Sequence, residues 1–167
     1  QIILASASPR RQELLRQLGL AFEVVPSQYD EQQHPPLPPE KLVEHLAFSK
    51  ASEVAARYPD ALVIGADTVV VLEGAVLGKP RDEEEAVAML KRLSGREHHV
   101  MTGVAVVAGG RSLVAHEVTA VRFLPLDEGQ IRRYVATGEP MDKAGAYAIQ
   151  GRAAAMIGSI SGDYFNV

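Results

Sequence analysis

The sequence predicts an α/β protein. Two observations carry this. Short apolar runs alternate with segments of helical spacing along the chain, and one run, ALVIGADTVVVL at residues 61–72, is apolar at both odd and even positions. A strand apolar on both parities reads as a central strand buried on both faces. A length of 167 residues suits one domain, or one domain with a cleft between two lobes. The apolar content of 47% is enough to build a core.

The elements follow in order. Residues 2–5 read as a strand. Pro9 suits the first position of a helix, where its missing N–H would be unpaired anyway. Leu14, Leu15 and Leu18 give that helix an apolar stripe, and Gly19 stops it. Residues 22–25 read as a second strand, and PSQYDEQQHPPLPPE as a loop, since its prolines break helix and sheet alike. Residues 39–58 are helical, with Leu42, Leu46, Ala47, Ala51, Val54 and Ala55 on one side. After the strand at 61–72, EGAVLGKP forms a turn and a short return strand. Residues 83–93 form a helix with acids in its first turn and Lys91 and Arg92 in its last, as the helix dipole favours. Residues 100–107 and 112–124 flank AGGR as a hairpin. Residues 127–137 form a helix that ends at Gly138. The remainder is rich in small residues and glycine. The start at Gln1 and the stop at Val167 without a cap signal read as a chain lacking its first residues and a C-terminal element.

Composition narrows the function classes. A net charge of −4 gives no global basic footprint, which disfavours nucleic acid as a partner. The absence of cysteine rules out disulfides, thiolate metal sites and a cysteine nucleophile. No apolar run reaches the ~18 residues of a membrane span, and no signal peptide is visible. The expected location is the cytoplasm.

Chemistry concentrates in a few places. In SASPRR a strand, a small-residue loop and a helix N-terminus aim backbone N–H groups at one point, a common way to hold phosphate. Ser6 and Ser8 add hydroxyls. Arg10 and Arg11 sit unfavourably at a positive helix end unless an anion lies between them, and guanidinium suits phosphate oxygens. Ser8 reads equally as a simple N-cap with both arginines solvated. Asp67 is a carboxylate inside an apolar strand, with Thr68 beside it. It reads as a general base or hard-cation ligand at the carboxyl end of a central strand, or as a buried acid paired with backbone N–H groups or an arginine.

His98 and His99 would point to opposite faces of a strand, and His34, His45 and His116 are isolated. Zinc is therefore disfavoured, and Mg²⁺ or Mn²⁺ on Asp67 and Glu31 is the metal expected. Glu31 also reads as an exposed acid of the Pro-rich loop, and Lys50 and Lys79 each read alone as surface lysines. GAVLGKP is one residue short of a Walker A loop and has Pro80 where Ser or Thr would bind magnesium. No dinucleotide fingerprint or nucleophile elbow is present. In DKAGAYAIQG the glycines permit close approach of backbone to a ligand, and Gln150 offers donor and acceptor to a nucleobase. The same segment reads as an ordinary strand ending in a polar side chain.

Taken together, LASASPRRQELL, YDE, FSKA, GADTVV, LGKPRD, LSGREHHVMTGVAV, TGEPMDKAGAYAIQG and SGDYFNV resemble the Maf-type nucleoside triphosphate pyrophosphatases, also called septum formation inhibitor proteins. The blocks follow the family's order over nearly the whole chain. The resemblance implies an α/β fold with a mixed central β-sheet flanked by helices, two lobes around a cleft, similar to inosine triphosphatases. It implies one domain over residues 1–167, truncated before the family's "VGLP"-type segment and terminal helix.

By the same resemblance, Asp67 matches the catalytic carboxylate, while Ser8, Arg11, Glu31, Lys50 and Lys79 match residues lining the cleft. Arg10, Thr68 and Gln150 match positions of substrate choice. SPRR with YAIQG is similar to the branch acting on dTTP and UTP, with modified pyrimidine triphosphates as further candidates. The implied partners are a nucleoside triphosphate and a divalent metal, Mg²⁺ or Mn²⁺, with a homodimer as a family expectation. Two other readings stand beside this one: a 7-methyl-GTP pyrophosphatase, and a nucleotide-binding regulator of septum formation and cell division.

Overall fold

The computed structural model describes residues 1–167. Its strands and helices are β1 (Ile2–Leu4), α1 (Pro9–Gln17), β2 (Glu23–Val24), α2 (Pro39–Arg57), β3 (Leu62–Leu72), β4 (Ala75–Leu77), α3 (Glu83–Leu93), β5 (Glu97–Ala108), β6 (Arg111–Phe123), α4 (Glu128–Ala136) and β7 (Ile157–Ser161). Short 3-10 turns occupy Glu139–Asp142, Ala144–Ala146 and Arg152–Met156. The strands form one mixed sheet in the order β2-β1-β3-β5-β6-β7, with β4 beside β3. The expected α/β class and mixed sheet are therefore observed. No helix is long and apolar enough to cross a membrane. The chain divides into two compact units, residues 1–67 with 102–116 and residues 68–101 with 117–167.

In the first unit β1 pairs parallel with β2 on one side and β3 on the other, so that Leu4 meets both Val24 and Ile64. The connection through α1 runs one way from β1, and the connection through α2 crosses to its other side. This makes β1 a topological switch point, and open α/β sheets hold ligands beyond the carboxyl ends of such strands. The core joins Ile3, Ala5, Val63 and Ala105 of the sheet to Ala47, Ala51 and Val54 of α2. The alanines among them are small, and they let α2 lie against the sheet at backbone contact.

Two glycines make that approach obligatory. A Cβ at Gly65 would stand 2.4 Å from the Ala47 carbonyl oxygen, and one at Gly103 would stand 2.2 Å from that of Val43. The obstacle is helix backbone, which cannot rotate away. Gly103→Ala is therefore expected to destabilise the protein by about 1–3 kcal/mol or more, as overpacking does. A thermal melt should show a fall in Tm of several degrees, and an unchanged Tm would contradict this close packing.

The second unit centres on Leu72, Leu90, Leu93, Val121, Phe123 and Ile131. Asp82 caps α3 by accepting from Glu85 N–H at 2.8 Å, and Asp127 with Gln130 forms a reciprocal capping box on α4. The helix expected at 83–93 is found at those bounds, and the AGGR hairpin turns on Gly109 and Gly110, at φ +55° and +78°. Both values are positive, as a two-residue hairpin turn of matching twist requires.

One reading of the C-terminal quarter needs correction, and one strand there was not read. The strand reading of DKAGAYAIQG, 142–151, is not observed; 3-10 turns and an irregular stretch take its place. A strand not expected, β7, pairs antiparallel with β6, so that Val121 meets Ile160. Its sequence, IGSIS, is short, and its register shifts between Arg122 and Phe123, which hides the period-2 pattern.

Candidate active site

The first unit gathers six of the singled-out residues by short links. Ser8 caps α1: its Oγ accepts the Arg11 N–H at 3.3 Å. Ser6 Oγ accepts the Ser8 N–H at 3.2 Å and the Arg11 Nη1–H at 3.2 Å. The same Arg11 nitrogen donates to the Ala66 carbonyl at 3.1 Å, which ties the loop after β1 to the residue preceding Asp67. Burial pulls the Arg11 guanidinium below its ordinary pKa, while Asp67 and Glu31 pull it back up. An arginine stays charged through such shifts. Arg11 is thus an internal strut and not a solvated cation. The Nη1 of Arg10 is buried without a hydrogen-bond partner.

Lys50 is the centre of the group. It lies on the buried stripe of α2 with Val43, Ala47 and Val54, at helical spacing. Its Nζ donates to Asp67 Oδ1 at 2.9 Å and pairs with Glu31 Oε1 at 2.6 Å. The Lys50 and Asp67 side chains are each 10% exposed and Glu31 is 61% exposed, so one carboxylate is buried and the other open to solvent. The surface-lysine reading of Lys50 is thereby overturned. A lysine buried on an apolar stripe needs a carboxylate, and Asp67 supplies it. Glu53 fixes the loop that carries Glu31, accepting from Ser27 Oγ and Gln28 N–H at 3.0 Å each.

Asp67 stands midway along β3 and not at its end, as the sequence suggested. It nevertheless lies just beyond Ile64, the last residue of β3 in register with β1. It is therefore at the carboxyl end of the parallel part of the sheet. Burial raises its pKa above the ordinary carboxylate value; Lys50 and Arg11 oppose the rise and Glu31 adds to it. Its Oδ2 is buried without a hydrogen-bond partner. A fixed carboxylate with one oxygen held by a cation and the other bare can accept a proton or ligate a hard cation.

Thr68, Lys79 and Gln150 belong to the second unit. Thr68 is half-buried next to Asp67 in β3, whereas Lys79 and Gln150 are exposed. The histidines form no metal cluster with acids: no group of three His, Cys, Asp or Glu residues could hold an ion. His98 is fully buried, and His116 pairs with Glu44 at 2.7 Å.

The mixed-sheet fold resembles that of two solved HAM1 proteins. The chain is similar to a HAM1 protein of Coxiella burnetii, with a TM-score of 0.55 and 16% identity over 92% of this chain and 89% of that one. It is also similar to the Ham1 protein of Staphylococcus aureus, with a TM-score of 0.50 and 14% identity over 73% and 71%. The chain belongs to the Maf-like protein family, which it matches over residues 1–167. It is 64% identical to the dTTP/UTP pyrophosphatase of Symbiobacterium thermophilum, over all of this chain and 86% of the relative. It is 59% identical to that of Pelotomaculum thermopropionicum, over all of this chain and 88% of the relative.

Proposed function

We propose that this chain is a nucleoside triphosphate pyrophosphatase that hydrolyses dTTP and UTP to the monophosphate and pyrophosphate. The observation that carries the reading is the buried Asp67 carboxylate, held through one oxygen by Lys50 and bare at the other. Two relatives above 55% identity bear the name dTTP/UTP pyrophosphatase, which supports the substrate class. The reading takes residues 1–167 as one catalytic domain.

In this reading Asp67 accepts a proton from the attacking water. The water oxygen bonds to phosphorus, the P–O bond between the α and β phosphates breaks, and pyrophosphate leaves. Lys50 keeps Asp67 ionised and oriented, Arg11 holds the Ser6–Ser8 loop in shape, and Arg10 and Lys79 meet the phosphate charge. Arg10, Thr68 and Gln150 choose the base.

Mg²⁺ or Mn²⁺ suits the donor set. Asp67 Oδ2 is unpaired, Glu31 is a second carboxylate on the same lysine, and such ions take one or two carboxylates with phosphate oxygens and water. When bound, the ion neutralises charge on the phosphates.

A panel of nucleoside triphosphates with pyrophosphate detection tests the proposal. Release from dTTP and UTP above the purine triphosphates is the expected result. Activity confined to 7-methyl-GTP would overturn the pyrimidine assignment, and release from no triphosphate would overturn the reaction.

A further inference from the structure

The second unit contains a buried polar pair that the proposed reaction does not use. His98, on β5, is completely buried, and its Nε2 lies 2.6 Å from the Tyr147 hydroxyl. Phe123 closes a trio of edge-to-face rings with them, at centroid separations of 4.9–5.3 Å. Burial drives the His98 pKa down to about 4, so the ring is neutral at physiological pH. Neutral His and Tyr are an expensive choice for a core that leucine could fill, since every buried polar atom needs a partner. His98 Nδ1 has none.

Tyr147 belongs to the segment that ends in Gln150, and this segment is clamped at several points. Ala146 is completely buried in the left-handed region at φ +64°, where residues with a Cβ are strained. Gly145, at φ +72°, sits on Val70 so closely that a Cβ would approach its side chain to 2.9 Å. The Gly145 N–H donates to the Gly78 carbonyl at 3.1 Å, beside Lys79. The Ala148 N–H donates to the Tyr134 hydroxyl at 3.1 Å, and that hydroxyl donates to Glu139 Oε2 at 2.5 Å. Glu139 Oε1 accepts the Arg152 N–H at 3.2 Å, just past the segment. The backbone is held on both sides of the strained residue, and both ends of the brace lead to residues assigned to the nucleotide.

We propose that His98 and Tyr147 are positioning residues whose buried hydrogen bond holds segment 144–151, and with it Gln150 and the Gly78–Lys79 backbone, in the geometry that receives the nucleotide. The proposal rests on the pyrophosphatase reading for the roles of Gln150 and Lys79. The strain at Ala146 gives it a physical basis: without the clamp the segment relaxes to an unstrained backbone, and the side chains it carries move.

Tyr147→Phe keeps the ring and deletes the hydroxyl. Steady-state kinetics on dTTP should show KM raised roughly tenfold, the scale of one lost buried hydrogen bond, with kcat within about twofold. His98→Leu should do the same, the double variant should add little, and His98→Gln, which restores a hydrogen-bonding side chain, should recover most of the affinity. Hydrogen exchange of both single variants should quicken over residues 144–151 while α3 stays protected. A lower Tm with unchanged KM and unchanged exchange in the segment would make the pair merely structural and overturn the proposal. If the wild type releases pyrophosphate from no nucleotide, the pyrophosphatase reading falls, and segment exchange alone then decides whether the brace exists.

Discussion

Asp67→Asn is expected to lower pyrophosphate release from dTTP by about 10²–10⁴, the contribution of a positioned general base. The amide keeps the volume and an oxygen for Lys50, so the fold should survive, and a melt of the variant controls for that. The pH dependence carries a sign that can be checked. Burial raises the Asp67 pKa, so its proton leaves at a higher pH than that of a solvated carboxyl. The base form is then missing at low pH and fills as pH rises through the raised value. The acid limb of kcat/KM should fall above pH 3.8, the ordinary value, and should vanish in the Asn variant. Wild-type activity in Asp67→Asn would remove the base assignment.

Lys50→Met is expected to damage both stability and rate. Removing one partner of a buried ion pair leaves the other charge uncompensated, at a cost of about 3–5 kcal/mol when the remaining charge cannot adapt. Asp67 can adapt by taking up a proton, which limits the loss of stability and transfers the penalty to catalysis. The acid limb should therefore move to still higher pH than in the wild type. The Glu31 arm adds little, because that carboxylate is open to solvent and exposed ion pairs contribute about 0–1 kcal/mol. Glu31→Gln should accordingly leave Tm nearly unchanged. A Lys50→Met variant with wild-type Tm and an unmoved acid limb would show that the pair supports neither fold nor Asp67.

Much of the first unit was legible in the sequence because local signals agreed there. Pro9 after Ser8, the doubly apolar run around Asp67 and the stripe of α2 each named an element and a face. Asp67 was visible as a charge where charge is costly. The local pattern alone did not distinguish Lys50 from a surface lysine, and only the family resemblance placed it in the cleft, because its partner lies in a strand distant in sequence. The same limit hid His98 and Tyr147, which explain one another only across 49 residues. The segment around Gln150 resisted reading for a different cause: its conformation is imposed by Val70, Gly78, Tyr134 and His98, and small residues carry no periodicity of their own.

The closeness of α2 to Gly65 and Gly103 has a consequence for the order in which the protein can be assembled during synthesis. Residues 1–67 already contain Ser6, Arg11, Glu31, Lys50 and Asp67, yet the unit they belong to also needs residues 102–116. Until those emerge, α2 lacks the Gly103 seat under Val43, and the core lacks Ala105. The first-unit residues proposed for the chemistry are therefore translated well before the platform that fixes their spacing. A nascent chain halted after Asp67 would hold Arg11, Glu31, Lys50 and Asp67 without the backbone seat that fixes their spacing.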